Sequence, residues 1–165
     1  MFFLLRTELE AAVSEGYTVF GLSAPGTWVS ELEGLGIHHV PISNLTRAWK
    51  PQADLRAALE LRRKLRALDL DVLHTHTPKA GVIGRVVGRI CGVPIIANTC
   101  HGLPYTNLDP KKKRLAIKLI EALAAQFSDI EFFLNSEDMY TMRRFTRRKN
   151  PMLMGNGTDL DRFTF

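Results

Sequence analysis

The sequence has 165 residues, of which 45% are hydrophobic and 24% are charged, and its formal net charge is +5 at pH 7. This composition is typical of one soluble globular domain. The two cysteines, Cys91 and Cys100, are too few to suggest a disulfide framework, and they lack a C-x-x-C or zinc-ligand spacing. Reduced, structural thiols are therefore expected. The apolar run at residues 1–5 meets Arg6 at once, so it is too short for a signal sequence or a membrane span. A cytoplasmic location is expected.

Apolar periodicity divides the chain into alternating helices and short strands. The clearest helix spans residues 51–68, where apolar positions recur every three or four residues between arginines and lysines. The pattern predicts helices over residues 3–14, 29–35, 51–68, 78–91, 110–127 and 136–145, and strands over 17–22, 37–42, 71–75, 94–97, 130–134 and 151–154. Asp109 and Ser136 are expected to cap the last two helices. The alternation predicts an α/β fold with a Rossmann-like, doubly wound parallel sheet.

Basic residues are concentrated in two segments that contain no acid. The first comprises Lys111, Lys112, Lys113, Arg114 and Lys118, and the second comprises Arg143, Arg144, Arg147, Arg148 and Lys149. Two such patches predict contact with an anionic partner such as a membrane surface or a phosphorylated lipid, although solvated helix faces give the same pattern. Nucleic acid is disfavoured as a partner, because neither patch has interleaved aromatic residues or a known reading motif.

The turn after the strand at residues 71–75 is the first candidate site, because ligands of open α/β sheets bind beyond the carboxyl ends of the strands. It brings His74, His76, Thr77 and Lys79 to a helix N-terminus, where N–H groups and the helix dipole favour an anion such as a sugar phosphate. His74 and His76 are two residues apart on a strand and point the same way, so they could chelate a metal. With no third ligand and no H-E-x-x-H motif, histidines lining a cleft are the preferred interpretation.

Glycines recur in the helix that follows this turn, at Gly81, Gly84 and Gly88. The neighbouring Arg85 and Arg89 exclude a membrane G-x-x-x-G role. The spacing instead predicts that this helix lies close on the sheet.

The second candidate site is the loop after the strand at residues 94–97. Gly102 and Pro104 shape this loop, which is expected to present His101 to the crevice at the end of the sheet. A lone histidine is more often structural, so a structural and a ligand-binding role for His101 are both open on this pattern alone.

Four segments together resemble the family 4 glycosyltransferases, especially the bacterial branch that builds capsule, exopolysaccharide and lipid-linked glycans. The segments are SAPG at residues 23–26, DVLHTHTPKAG at 71–81, HGLP at 101–104 and GNGTDLDRF at 155–163. The resemblance covers nearly the whole chain and implies a GT-B fold, in which an N-terminal Rossmann-like domain holds the sugar acceptor and a C-terminal one holds the nucleotide-sugar donor.

The resemblance also implies a chemistry for the two turns. Family members usually transfer a hexose with retention and without a metal or cofactor, here from a donor expected to be UDP-linked. By this analogy His101 is the catalytic histidine that reaches the transferred sugar. The acceptor side would be lined by Lys79 and the neighbouring His74, His76, Thr77 and Gly102, and the acceptor would be lipid-linked or a polysaccharide.

The sequence departs from the family at both ends. It starts within the helix that follows the family's first strand and glycine-rich loop, so the strands at 17–22 and 71–75 are expected to flank a gap, with a rearranged or poorly stable fold. Residues 1–154 are interpreted as an incomplete acceptor-side domain, and residues 155–165 as the start of a hinge to an absent donor-binding domain. The chain alone is therefore expected to be inactive.

Three functions follow from the sequence. The leading one is sugar transfer by the intact protein at the inner face of the cell membrane, with the lysines of residues 111–118 on anionic lipid while Leu119, Ile120, Leu123 and Phe127 pack inward. The alternatives are a non-catalytic glycan- or lipid-binding fragment, or pseudoenzyme, and a nucleotide-sugar 2-epimerase. The epimerase is disfavoured because its acidic and histidine catalysts cannot be placed.

Overall fold

A computed structural model describes residues 2–46, 48–146 and 151–155, without the side chains of residues 2–4. These residues form two compact units, which are divided along the chain between Glu60 and Leu61. The predicted hinge beyond Gly155 lies outside the described residues, and so do three members of the second basic patch, Arg147, Arg148 and Lys149.

The first unit contains a two-stranded parallel sheet. Its elements are α1 (Phe2–Ser14), β1 (Phe20–Ser23), α2 (Val29–Gly34), β2 (His38–Pro41) and the first half of α3 (Pro51–Leu68). Strand β1 pairs with β2 so that Phe20 lies opposite His38. Ile37 and Ile42, which flank β2, are 1% exposed and belong to the core of this unit.

The second unit contains a four-stranded parallel sheet in the order β3-β4-β5-β6. Its elements are the rest of α3, β3 (Val72–His76), α4 (Pro78–Cys91), β4 (Ile95–Cys100), α5 (Lys111–Ala124), a 3₁₀ turn (Ala125–Phe127), β5 (Ile130–Phe133), α6 (Ser136–Thr146) and β6 (Pro151–Leu153). Strands alternate with helices along the whole unit, as the sequence predicted. The parallel α/β fold class is therefore confirmed.

Helix α4 packs closely on the sheet because its inner face carries glycine. A Cβ atom added to Gly84 would lie 2.7 Å from Cγ2 of Thr75, and one added to Gly88 would lie 2.5 Å from Cδ2 of Leu73. Both distances are shorter than real Cβ contacts, so a side chain at either position would displace its neighbour. The packing role predicted for these glycines is confirmed.

Strands β1 and β3 belong to different sheets, and within the described part of the chain each is paired on one side only. The expectation that these two strands flank the place of a missing strand stays a prediction. The expected effect of this arrangement on stability stays a prediction.

Both predicted helix caps are wrong. Helix α5 begins at Lys111, and the Asp109 carboxylate instead accepts hydrogen bonds from the backbone N–H of Thr106 and from Nζ of Lys113. The hydrogen bond from Lys113 is the main reason that the pKa of Asp109 is lowered. At α6 the cap is Asn135, whose Oδ1 accepts the N–H of Asp138 at 2.8 Å, while Ser136 is already helical.

The predicted orientation of α5 is also wrong. Leu119, Ile120 and Leu123, which were expected to pack inward, are 47%, 42% and 67% exposed, and Phe127 is only half-buried. Small residues occupy the inner face instead, since Ala122 is 8% exposed.

Polar contacts explain this orientation. Arg114 and Lys118 lie against the ring of Tyr105, at 5.5 and 5.6 Å from its centroid, and Glu121 is paired with Arg85 of α4. Positions 114, 118 and 121 share one face of a helix. These contacts turn that face inward and leave the leucines outside.

None of the helices in the described ranges combines the length and the apolar character needed to cross a bilayer.

Candidate functional site

The two predicted turns meet at the carboxyl end of the second unit's sheet. His76 lies opposite Thr99 in the parallel pairing of β3 and β4, so the segments that follow both strands leave from the same edge. There Nδ1 of His76 lies 3.1 Å from Nε2 of His101, within hydrogen-bonding distance. Residues from two separate sequence motifs thus form one contact.

Three histidines form a row at this edge. The ring centroids of His74 and His76 are 4.2 Å apart, and those of His76 and His101 are 5.3 Å apart. The prediction that His74 and His76 point the same way is confirmed. Nε2 of His74 also lies 2.8 Å from Oγ1 of Thr99. Because one ring must donate and the other accept in a hydrogen bond between neutral imidazoles, His76 and His101 constrain each other's tautomer.

The turn between β3 and α4 has an unusual backbone at Thr77. This residue has φ +67° and ψ 147°, a combination that L-residues rarely adopt, and such strained residues cluster at functional sites. Its carbonyl accepts the N–H of Gly81 at 2.7 Å, which closes the first turn of the helix. Lys79 follows in this turn, but its side chain is only 7% exposed.

A small crevice opens beside the row of histidines. Of the predicted residues, Thr77, His101 and Gly102 line it. Asn98 and Glu121, which were not among the predicted site residues, line it as well.

The loop that carries His101 is held from both sides. The N–H of Leu103 donates to Oδ2 of Asp138 on α6 at 3.1 Å, and Tyr105 rests against the two basic residues of α5 described above. Gly102 has φ +131°, which favours glycine over any residue with a Cβ atom. The position of His101 is thus fixed by its loop as well as by His76.

A buried polar network lies beneath the crevice. Arg85 is 1% exposed and donates from Nη1 to Oε1 of Glu131 at 2.9 Å, from Nη2 to Glu121, and from Nε to the carbonyl of Gly81. The other carboxylate oxygen of Glu131 accepts Nδ2 of Asn98 at 2.8 Å. This network ties the first turn of α4 to β4, β5 and α5.

The sequence contains a signal for this network. Thr75, Asn98 and Glu131 are polar residues in three consecutive strands, and the observed registers place them side by side. Oγ1 of Thr75 donates to Oδ1 of Asn98 at 2.9 Å. A polar residue at the matching position of each central strand predicts such a cross-strand ladder.

Burial changes the protonation of two groups at the crevice. Desolvation raises the pKa of Glu121, and the charge of Arg85 opposes this rise. Burial also raises the pKa of Cys100 to about 12, against the partly compensating hydrogen bond from the N–H of Gly102. At that pKa the Cys100 thiol is protonated at neutral pH and is a weak nucleophile.

Comparison with known proteins identifies the family. The sequence pattern of the glycosyl transferase 4-like domain matches residues 6–154. An Escherichia coli UDP-Gal:alpha-D-GlcNAc-diphosphoundecaprenol alpha-1,3-galactosyltransferase is 29% identical over 112 residues, which are 67% of this chain and 29% of that protein. The putative glycosyltransferase EpsD of Bacillus subtilis is 25% identical over 120 residues, or 70% of this chain and 31% of EpsD.

A solved structure shares the fold. The Anabaena protein HepE, crystallised in complex with UDP and glucose, superposes with a TM-score of 0.67 over 93% of this chain and 41% of HepE, at 14% identity. This likeness confirms the expected fold class, that of a GT-B glycosyltransferase. The chain spans about a third of the length of these two sequence relatives. By the family pattern that covers most of its length, the chain belongs to the family 4 glycosyltransferases.

Proposed function

We propose that the protein carrying this chain transfers a hexose from a UDP-linked donor to a lipid-linked glycan acceptor, with retention and without a metal. The crevice at the ends of β3 and β4 would receive the acceptor, with His101 beside the transferred sugar. The observation that carries the proposal is the hydrogen-bonding contact between His76 and His101 at the carboxyl edge of the sheet.

The relatives support the choice of substrates. The galactosyltransferase similar to this chain is named for a UDP-galactose donor and a diphosphoundecaprenol-linked acceptor, and HepE was crystallised with UDP and glucose. A lipid-linked acceptor would place the reaction at the cytoplasmic surface of the membrane, where Lys111 and Lys112 of α5 would meet anionic lipid.

The geometry suggests how the chain would assist transfer. The His101 ring would contact a hydroxyl of the transferred sugar, and its contact with His76 would fix the tautomer and the orientation of the ring. The loop contacts of Leu103 and Tyr105 would hold the imidazole in place before the substrate arrives. Such preorganised polar groups are among the largest contributions to enzymatic rate.

The test is a transfer assay on the polypeptide as its genome encodes it. UDP-hexoses are offered with undecaprenyl-diphosphate-linked N-acetylglucosamine, and products are followed by mass spectrometry. His101→Ala is expected to lower kcat about a hundredfold or more, as for the loss of one preorganised donor. His38→Ala is the matched control, because His38 is an exposed histidine of β2, and its activity should stay at the wild-type level.

Other outcomes separate the alternatives. Acceptor binding without transfer would support the non-catalytic reading, and formation of a free epimerised nucleotide sugar would support the epimerase. An unchanged rate in EDTA would support metal independence, and the anomeric configuration of the product reports retention. Because the matched region is under a third of the galactosyltransferase, we expect the 165 residues by themselves to bind the acceptor without turnover.

A further inference from the structure

The outer side of α5 is an apolar face on an otherwise basic helix. Its members, here called the leucine face, are Leu115, Leu119, Ile120 and Leu123, with exposed fractions of 56%, 47%, 42% and 67%. Positions four residues apart lie one above the other on a helix, so Leu115, Leu119 and Leu123 form a continuous stripe. Leu108, in the loop before the helix, is 96% exposed.

Basic residues border one end of this face. Lys111, Lys112 and Lys113 occupy the first turn of α5, and all three are exposed. Lys113 is paired with Asp109, which leaves Lys111 and Lys112 as the main positive charges at the end of the stripe. Glu121, the one acid in the helix, is on the inner side and is bound to Arg85.

We propose that the leucine face of α5 inserts into the interfacial layer of an anionic lipid bilayer, with Lys111 and Lys112 on the headgroups. The proposal rests on the proposed function only for the presence of a membrane near the enzyme. Insertion differs from a purely electrostatic contact through lysines, because the apolar side chains of the leucine face would move from water into the bilayer.

The chemistry of the surface favours a bilayer over a protein partner. A helix with aliphatic residues on one side and lysines at its border matches the arrangement of helices that lie in the membrane interface. Lysine side chains can extend along apolar surface while the ammonium group stays in water, so Lys111 and Lys112 can reach phosphates while the leucines are immersed. The two attractions act together on an anionic bilayer.

The experiment measures retention of the purified chain by sedimenting vesicles. Vesicles of phosphatidylcholine alone are compared with vesicles that contain phosphatidylglycerol, at low and high salt. The wild-type chain should bind the anionic vesicles and keep part of this binding at high salt. The double variant Leu119→Ser, Leu123→Ser should lose about tenfold or more in partitioning at both salt concentrations, because each immersed CH₂ group is worth about fourfold.

Two further variants make the result specific. Lys111→Gln with Lys112→Gln should lose about fivefold per lysine at low salt and less at high salt. Ile90→Ser is the matched control, since Ile90 is 58% exposed on α4 of the same unit, and it should bind as the wild type does. Circular dichroism verifies that each variant is folded.

Three results would overturn the inference. One is a wild-type chain that anionic vesicles do not retain, and another is a leucine variant that binds as tightly as the wild type. The third is self-association that the leucine variant abolishes while vesicle retention is unchanged, which would make the face a protein interface. Transfer to a water-soluble acceptor analogue by the genome-encoded protein tests the proposed function separately, because the leucine substitutions should leave that transfer intact.

Discussion

Two regions of the second unit reverse the usual distribution of polar and apolar residues. Beneath the crevice, the charged side chains of Arg85 and Glu131 are 1% and 2% exposed. On the outer side of α5, Leu119 and Leu123 are 47% and 67% exposed. The same helix takes part in both regions, because Glu121 faces the first and the leucines form the second. The contrast shows that specific hydrogen-bond and ion-pair contacts, rather than residue type, decide which face of α5 is buried.

The largest effect on stability is expected from removing the buried cation, Arg85. Arg85→Met is expected to lower the free energy of unfolding by about 3–5 kcal/mol, because Glu131 and Glu121 would lose their partner. Urea denaturation followed by circular dichroism measures the change. Arg89→Met is the control, since the Arg89–Asp129 pair is 38% and 41% exposed and its loss should cost about 1 kcal/mol or less. Equal effects of the two variants would show that burial of the network is unimportant.

A second test concerns the thiol at the crevice. With a pKa of about 12, Cys100 should react with a thiol reagent at pH 8 about a thousandfold more slowly in the folded chain than in urea, because the thiolate is the reactive form. The raised pKa also means that the stability contributed by this group is present below the pKa of the unfolded thiol and is lost as the pH rises towards 12. Mass spectrometry of labelled peptides gives the rate, and fast labelling of folded Cys100 would contradict the assignment.

A third test probes the close packing that encloses the network. Gly84→Ala places a Cβ atom 2.7 Å from Cγ2 of Thr75, whose hydroxyl is bonded to Asn98. The expected loss of unfolding free energy is about 1–3 kcal/mol. Gly34→Ala in α2 is the control, because its Cβ would meet open space among the described residues, and alanine there should gain about 0.5–1 kcal/mol through helix propensity. A stabilised Gly84→Ala variant would contradict the packing argument.

The smallest effect is expected from the exposed region. Leu123→Ser should change the free energy of unfolding by within about 0.5 kcal/mol, because a side chain that is 67% exposed in the folded chain loses little burial when it is replaced. Thermal and urea denaturation measure it beside Arg85→Met. A loss of several kcal/mol would show that the leucine face is covered in the folded protein, which would also remove the basis for membrane insertion.

The elements of the fold could be predicted because their signals are local. Helix α3 was predicted over the residues that it occupies, since its apolar periodicity is complete within the segment. The meeting of His76 with His101 was also within reach, because parallel strands end at one edge of a sheet.

The orientation of α5 could not be predicted in the same way. Its leucines form as good an apolar face as its alanines, and the choice depends on Arg85, which is 36 residues away from Glu121. The wrong prediction of an N-cap at Asp109 has a similar cause, because Lys113 and Thr106 donate hydrogen bonds to its carboxylate instead. Both errors arise where a polar side chain had a partner that periodicity does not reveal.

The position of the bound acceptor can be mapped directly by photocrosslinking. A photoreactive analogue of an undecaprenyl-diphosphate-linked sugar is crosslinked to the genome-encoded protein, and labelled peptides are mapped by mass spectrometry. We predict labels in the β3–α4 turn around Thr77 and in the loop around His101, reduced by excess unlabelled acceptor. If excess unlabelled acceptor reduces labelling only in other parts of the protein, the assignment of this crevice to the acceptor is contradicted.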